Sequence, residues 1–331
     1  MTEHQPEKRA PLNGTGQSLA VVVPVYNESQ GLDALYERLK GVLEGLPYAW
    51  QIILVDDGSP DCSWDKIREL CAKDSHVKGL MLSRNFGKEM ALTAGVELCQ
   101  DVDAVICIDA DLQHPPEIIP EMVKRWNEGY EIVATVRESV ADYSMLKKFG
   151  SKAFYWVMTR YSDLDIPPSS TDFRLLDQKV VRTLLRFTER TRMFRGLIDW
   201  MGFRKIYIPF AAPARDTGQV GYSMKKLFNL AVNSFTSFSL LPLRFTGYLG
   251  LGIIGISAVL MVFMVVGNML WGANYTPMAF FTVFNTFLSG IVLCGLGMVS
   301  LYIGHIHTEV VQRPLYIVRE RAGHWESGSK P

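Results

Sequence analysis

Two carboxylates one residue apart, Asp109 and Asp111, stand where an apolar run stops. Val105-Ile106-Cys107-Ile108 precedes them and Leu112-Gln113-His114 follows. Hard divalent cations take oxygen ligands, and Mg²⁺ commonly joins one or two carboxylates to a substrate's phosphates. A short buried strand ending in Asp-Ala-Asp puts both acids at the carboxyl edge of a sheet, where open α/β sheets bind ligands. The chemistry suggested is a diphosphate held through a metal. Asp-x-Asp alone is a weak signal, and a strand-end turn with solvated acids fits it too.

The elements that would position this pair are legible on either side. Leu19 to Val23 is an apolar run closed by Pro24-Val25-Tyr26-Asn27-Glu28. Ile52 to Val55 is closed by Asp56-Asp57-Gly58-Ser59, and Gly79 to Leu82 by Ser83-Arg84-Asn85-Phe86-Gly87. Ile132 to Val136 ends at Arg137. Segments of helical length lie between them, at about 29–46, 63–74, 87–100 and 115–129. Continuous apolar strands alternating with helices predict a mostly parallel sheet covered on both faces. Polar residues collect at the same end of every strand, which a purely structural sheet would not require. Together these favour a nucleotide site over the solvated turn.

The chain has 331 residues, room for one α/β domain of roughly 200 residues and a further element. Lys and Arg balance Asp and Glu, so no bulk attraction to nucleic acid is implied. The five cysteines lack paired spacing and read as reduced residues, not a disulfide framework or zinc site. Residues 1–17 are polar and predict a flexible tail. The first apolar run is the first strand, so no N-terminal signal peptide is expected.

Composition changes after Arg244. Residues 246–271 and 278–304 contain no charged side chain, and each run exceeds the ~20 apolar residues that cross a bilayer. Trp271, Tyr275 and Tyr302 lie near the ends, where interfacial aromatics gather. Lys225, Lys226 and Arg244 precede the first run, and Arg313, Arg319 and Arg321 follow the second. The positive-inside rule then puts the catalytic domain and both termini in the cytoplasm, with a short hairpin loop outside. Residues 223–244 read as a juxtamembrane amphipathic helix or an ordinary packing helix. The basic, aromatic stretch Tyr143–Tyr161 fits a membrane-facing anion site or a plain surface helix.

Four motifs in order carry a resemblance: Val23-Pro24-Val25-Tyr26-Asn27-Glu28, Val55-Asp56-Asp57-Gly58-Ser59, Arg84-Asn85-Phe86-Gly87-Lys88 and Asp109-Ala110-Asp111-Leu112-Gln113-His114-Pro115-Pro116. With the two-span tail ending Glu309 to Val318, they resemble the family 2 glycosyltransferases of the GT-A fold. More narrowly, they are similar to polyprenyl-phosphate glycosyltransferases of the dolichol-phosphate mannose synthase and bacterial undecaprenyl-phosphate glucosyltransferase kind. The likeness runs from residue 18 to about 320 and implies a GT-A domain over 18–222, a hairpin over 245–305 and a cytoplasmic tail over 306–331.

The resemblance also implies roles. Pro24, Tyr26, Glu28 and Asp57 would form the nucleoside pocket, with Tyr26 against the base and Asp57 accepting from a base N–H. Asp109, Ala110 and Asp111 would meet the donor diphosphate. Asp109, Asp111 and Gln113 would hold Mg²⁺ or Mn²⁺. Arg137 and Arg215 would clamp phosphates, since a guanidinium fork matches phosphate oxygens. Asp172, in Thr171-Asp172-Phe173-Arg174, would act as base or orient the acceptor or sugar, and Lys147 and Ser151 are weaker candidates for the lipid phosphate. UDP-glucose is the favoured donor, polyprenyl phosphate the acceptor, and a homo-oligomer such as a tetramer the assembly. The family's Ser-Lys pair after Arg-x-x-Gly is Val220-Gly221 here, which leaves the donor open. A processive polysaccharide synthase and an idle membrane scaffold or lipid translocator are the competing readings. A nicotinamide dehydrogenase is disfavoured because no Gly-x-Gly-x-x-Gly follows the first strand.

Overall fold

A computed structural model describes residues 17–137, 170–190, 192–211 and 277–325, with only part of the side chains along 277–310. Among the described residues, eight strands form one sheet: β1 (Ser18–Val25), β2 (Ala49–Asp56), β3 (Val77–Leu82), β4 (Ala104–Cys107), β5 (Ile132–Arg137), β6 (Ser170–Asp177), β7 (Lys205–Phe210) and β8 (Val318–Ala322). Their order is β7-β5-β6-β4-β1-β2-β3-β8. Leu19 to Val23 and Ala104 to Cys107 are fully buried, as befits strands covered on both faces.

The expectation of a mostly parallel sheet holds at its centre, and the whole is a mixed α/β sheet. β1 pairs in parallel with β2 and β4, β2 with β3, and β5 with β7. Strand β6 runs antiparallel between β4 and β5, so Ser170 begins opposite Val136, near the end of β5. The edge holding the ends of β1 to β5 thereby also receives the start of β6 and the end of β7. Strand β8, within the segment expected to trail off as a tail, runs antiparallel on β3, with Val318 opposite Leu82.

The helices cover the sheet by ordinary amphipathic spacing, with one exception. Leu32, Leu35, Tyr36, Leu39 and Leu43 make the buried stripe of α1 (Leu32–Glu44), and Trp64, Ile67, Leu70 and Cys71 that of α2 (Ser63–Lys73). Helix α3 (Lys88–Glu97) has no such stripe, because Ala91 to Val96 are all buried. It lies close on β1 and β2, where a Cβ on Gly95 would come within 2.3 Å of Val22 and 3.0 Å of Val55. That close seat fixes where α3 begins. Helix α4 (Ile119–Asn127) packs Met122, Val123 and Trp126 inward, and the Trp126 indole N–H donates to Asp177 at 2.8 Å. That same carboxylate caps α5 (Gln178–Leu184) by accepting from the Lys179 N–H. Helix α6 (Phe194–Trp200) follows.

A second compact unit contains helix α7 (Pro277–Val310), 34 residues long. Its described side chains include exposed Met278, Phe281, Leu288, Val292, Leu296, Val299, Ile303, Ile306 and Val310, mostly three or four residues apart. Among the described residues, no helix is long and apolar enough to cross a membrane. The first apolar run at 246–271 and the helix expected over 223–244 lie outside the described residues, as do Tyr143–Tyr161, Lys147, Ser151, Arg215, Val220 and Gly221.

Candidate active site

The site begins with a clamp between the ends of β2 and β3. Asp57 follows β2, and its two carboxylate oxygens accept from the backbone N–H groups of Phe86 and Gly87 at 2.7 and 2.8 Å. Gly58 permits the close approach. It has φ +67°, and a Cβ there would lie 2.5 Å from the Arg84 carbonyl carbon. Burial raises the Asp57 pKa, opposed by the two N–H donors. The nucleoside role implied for Asp57 thus meets a carboxylate already engaged on both oxygens by backbone. Tyr26, at the end of β1, is 45% exposed and keeps an open aromatic face. Pro24 pairs with Val55, the Glu28 N–H donates to Ser63 Oγ at 3.2 Å, and the Asn27 N–H to Ser59 Oγ at 3.1 Å. These contacts bind the ends of β1 and β2 into one wall.

Gly87, at φ +99°, turns the clamped loop into α3, and the next residue, Lys88, enters the site. Its Nζ lies 2.6 Å from Asp109 Oδ1 and 2.6 Å from Asp172 Oδ2. Burial would lower the lysine's pKa, but Asp172 and Asp109 outweigh it and hold the ammonium above its ordinary value. Asp172 Oδ1 meets Arg195 Nε at 2.9 Å, and Arg195 Nη1 donates to the Ser170 carbonyl at 2.7 Å. Burial would raise the Asp172 pKa, but Arg195 and Lys88 together hold it well below the usual carboxylate range. A carboxylate so stabilised is a weak base. Glu89, the neighbour of Lys88, accepts from the Phe194 N–H at 2.9 Å and so anchors the start of α6.

After β4, Asp109, Ala110 and Asp111 lead into a tight turn. The Gln113 N–H donates to Asp111 Oδ1 at 3.1 Å, and Leu112 sits at φ +60°. The turn separates two neighbours that look alike in sequence. Gln113 Oε1 accepts from Arg137 Nη2 at 2.7 Å, so the oxygen expected to ligate a metal is taken by an arginine. His114 instead goes inward. Its ring lies 5.5 Å from that of Phe173 and edge-on to Phe210 at 5.8 Å. Its Nδ1 is 3.6 Å from Asp109 Oδ2 and is buried with no hydrogen-bond partner.

Among the described residues, Asp109, Asp111 and His114 bring one ligand atom each to within 4.8 Å of one another. Two carboxylates and an imidazole nitrogen left without a partner fit a small divalent cation. Burial lowers the His114 pKa, which Asp109 and Asp111 oppose; a neutral ring is the ligating form. The sheet edge thus brings together Tyr26, Asp57, Asp109, Asp111, Gln113, Arg137 and Asp172. It adds Lys88, Glu89, His114 and Arg195, which the sequence reading gave no role. Lys88 and His114 stood inside quoted motifs; nothing in the sequence marked Arg195.

The Glycosyl transferase family 2 model matches residues 20–185. An uncharacterized glycosyltransferase of Synechocystis is 41% identical over 92% of this chain and 96% of its own length. A bactoprenol glucosyl transferase of Shigella phage SfII is 34% identical over 91% of this chain and 97% of its own. Among solved structures, mannosyl-3-phosphoglycerate synthase from Rubrobacter xylanophilus gives a TM-score of 0.46 at 14% identity, covering 66% of this chain and 72% of that one; so distant a likeness bears no weight at the site. The family model and the sequence relatives agree with the motifs at the ends of β1, β2 and β4: the chain belongs to glycosyl transferase family 2.

Proposed function

We propose that this enzyme moves a sugar, glucose from UDP-glucose in the favoured case, onto the phosphate of a polyprenyl lipid at the cytoplasmic face of the inner membrane. The name of the phage relative, a bactoprenol glucosyl transferase, supports the lipid acceptor and the glucosyl group. The observation that carries the reading is the Asp109, Asp111 and His114 group at the carboxyl edge of the sheet. Connectivity supports the membrane part. Within the catalytic unit, the end of β7 at Phe210 and the start of β8 at Val318 lie on that edge. The segment between includes the uncharged runs 246–271 and 278–304, read here as a membrane hairpin. Apolar side chains exposed along α7 suit contact with lipid or with other copies in a homo-oligomer.

Asp109, Asp111 and His114 would hold Mg²⁺ or Mn²⁺, which when bound supplies Lewis-acid neutralisation of the departing diphosphate. The Tyr26 ring offers a stacking face for the base, and Arg137, braced by Gln113, offers a guanidinium to phosphate oxygens. A lipid phosphate monoester is largely dianionic near neutral pH, with a second pKa of about 6. Its oxygen attacks the anomeric carbon as the bond to the diphosphate breaks, inverting configuration, and no proton need be removed. Asp172, held ionised by two cations, therefore acts by orientation and not as a base.

The test is direct. Membranes containing the protein are incubated with radiolabelled UDP-glucose and undecaprenyl phosphate, and the organic phase is counted. Label in a mild-acid-labile lipid is expected, and unlabelled UDP-glucose should compete better than other UDP-sugars or GDP-mannose. Label in a growing polymer would favour a processive synthase. No transfer with any donor, alongside lipid flipping, would favour a translocator.

A further inference from the structure

Lys88 touches both the candidate metal group, at Asp109, and the orienting carboxylate, Asp172. Its two partners are not equally dependent on it. Asp172 retains Arg195 as a second cation at 2.9 Å. Among the described residues, Asp109 has beside Lys88 only His114, whose Nδ1 is 3.6 Å from the other oxygen. The backbone at Lys88 is held by the Asp57 clamp on Phe86 and Gly87, while its side chain is 40% exposed. An anchored base with an exposed, flexible stem allows the ammonium to swing without moving α3.

Charge accounting gives the swing a purpose. Among the described residues, Asp109 and Asp172 already have cationic partners in Lys88 and Arg195. A dication added alone brings two more positive charges and crowds an ammonium bound to the same carboxylate. A sugar nucleotide's diphosphate offsets that added charge.

We propose that Lys88 is the resting counter-ion of Asp109. It gives way to the divalent cation and then turns, still tethered to Asp172, to a phosphate oxygen of the ligand. Metal alone is thereby disfavoured, and metal with phosphate is favoured. Lys88 is in this view a positioning residue whose partner changes during loading. The inference rests on the metal site of the proposed function and deepens it. The phosphate oxygen can come from the donor's diphosphate or from the acceptor's monoester, so both are tested.

Mn²⁺ affinity is measured on the purified full-length protein by titration calorimetry, alone and with UDP or farnesyl phosphate. Lys88→Met should bind Mn²⁺ alone about fivefold to tenfold more tightly than wild type, and should lose about tenfold of the enhancement that one of the two phosphates confers. The arm that loses it identifies the source. Lys88→Arg, which keeps the charge, should stay near wild type for Mn²⁺ alone. A structural prop would weaken binding in every arm. Lys88→Met binding Mn²⁺ no more tightly, or keeping the full enhancement with both phosphates, overturns the proposal. Asp111→Ala separates the two failures: retained Mn²⁺ binding there rejects the metal site itself, whereas its loss with an unchanged Lys88→Met rejects only the exchange. Should Lys88→Met not fold, acylation of Lys88 in the wild-type protein, read by mass spectrometry, replaces it. The rate should rise severalfold with Mn²⁺ and fall when UDP or farnesyl phosphate is added; a rate unmoved by Mn²⁺ overturns the proposal.

Discussion

Two aspartates at strand ends on one edge of the sheet do opposite work. Asp57, after β2, has both oxygens on backbone N–H groups of one loop. Asp109, after β4, has one oxygen on the tip of a lysine and the other facing an imidazole nitrogen that lacks a partner. Backbone donors cannot leave; side-chain cations can. The β1–β2–β3 half is thus built as a rigid wall, and the β4–β6 half as a set of exchangeable charges. The same residue type at the same edge is architectural in one place and chemical in the other.

The sharpest way to break this comparison is to remove one acid from each half. Asp111→Ala should cut transfer by about a hundredfold to a thousandfold or more, the scale seen when a group stabilising developing charge is lost. Its melting temperature should stay within a degree or two of wild type (about the effect of a neutral surface change). A large fall in stability would move Asp111 to the architectural side. Asp57→Ala should do the reverse first. It strands two buried-side N–H donors and should cost about 2–3 kcal/mol of stability in denaturant titration. Transfer should fall as a consequence, because Lys88 follows the loop that Asp57 holds. A stable Asp57→Ala enzyme with impaired nucleotide binding would return Asp57 to the nucleoside pocket.

These paired outcomes also mark what could be read before the structure was known. The acids Asp109 and Asp111 were legible because an apolar strand visibly ends at them, and edge placement follows from strand direction alone. The third member of the candidate metal group was not. Gln113 and His114 are adjacent, and only the turn at Leu112, with φ +60°, decides which points inward. Lys88, Asp172 and Arg195 are far apart in the chain, and β6 must insert antiparallel beside β4 before they meet. No local pattern encodes that insertion. A segment of helical length at 87–100 does not tell that α3 is buried around its circumference, which follows because Gly95 lets it sit directly on β1 and β2.

Gly95 gives the next smaller effect. Gly95→Ala pushes a methyl into Val22 and should cost about 1–3 kcal/mol, the usual range for overpacking. Lys88 at the helix start should shift with it, so donor affinity should drop together with stability. Unchanged stability would show that α3 has room to lift.

The smallest effect is a slope against pH. Burial, with Asp172 behind it, pushes the Glu89 carboxyl up to about 7. Its folded-state pKa lies above its unfolded value, so its stabilising contribution is complete below the ordinary glutamate range and is lost as pH rises through about 7. The melting temperature of wild type should therefore fall relative to Glu89→Gln between about pH 5 and about pH 8. Parallel profiles would mean that Glu89 stays ionised in the folded protein.

The central claim, that a dication held by Asp109, Asp111 and His114 serves sugar transfer to a lipid phosphate, is tested most directly by metal removal and return. Membranes bearing the protein are treated with EDTA, given radiolabelled UDP-glucose and undecaprenyl phosphate, and then supplied with Mn²⁺. Lipid-linked label should be absent under EDTA, reappear with Mn²⁺, and fail to reappear in Asp111→Ala. Full transfer under EDTA, or in Asp111→Ala, would contradict the account.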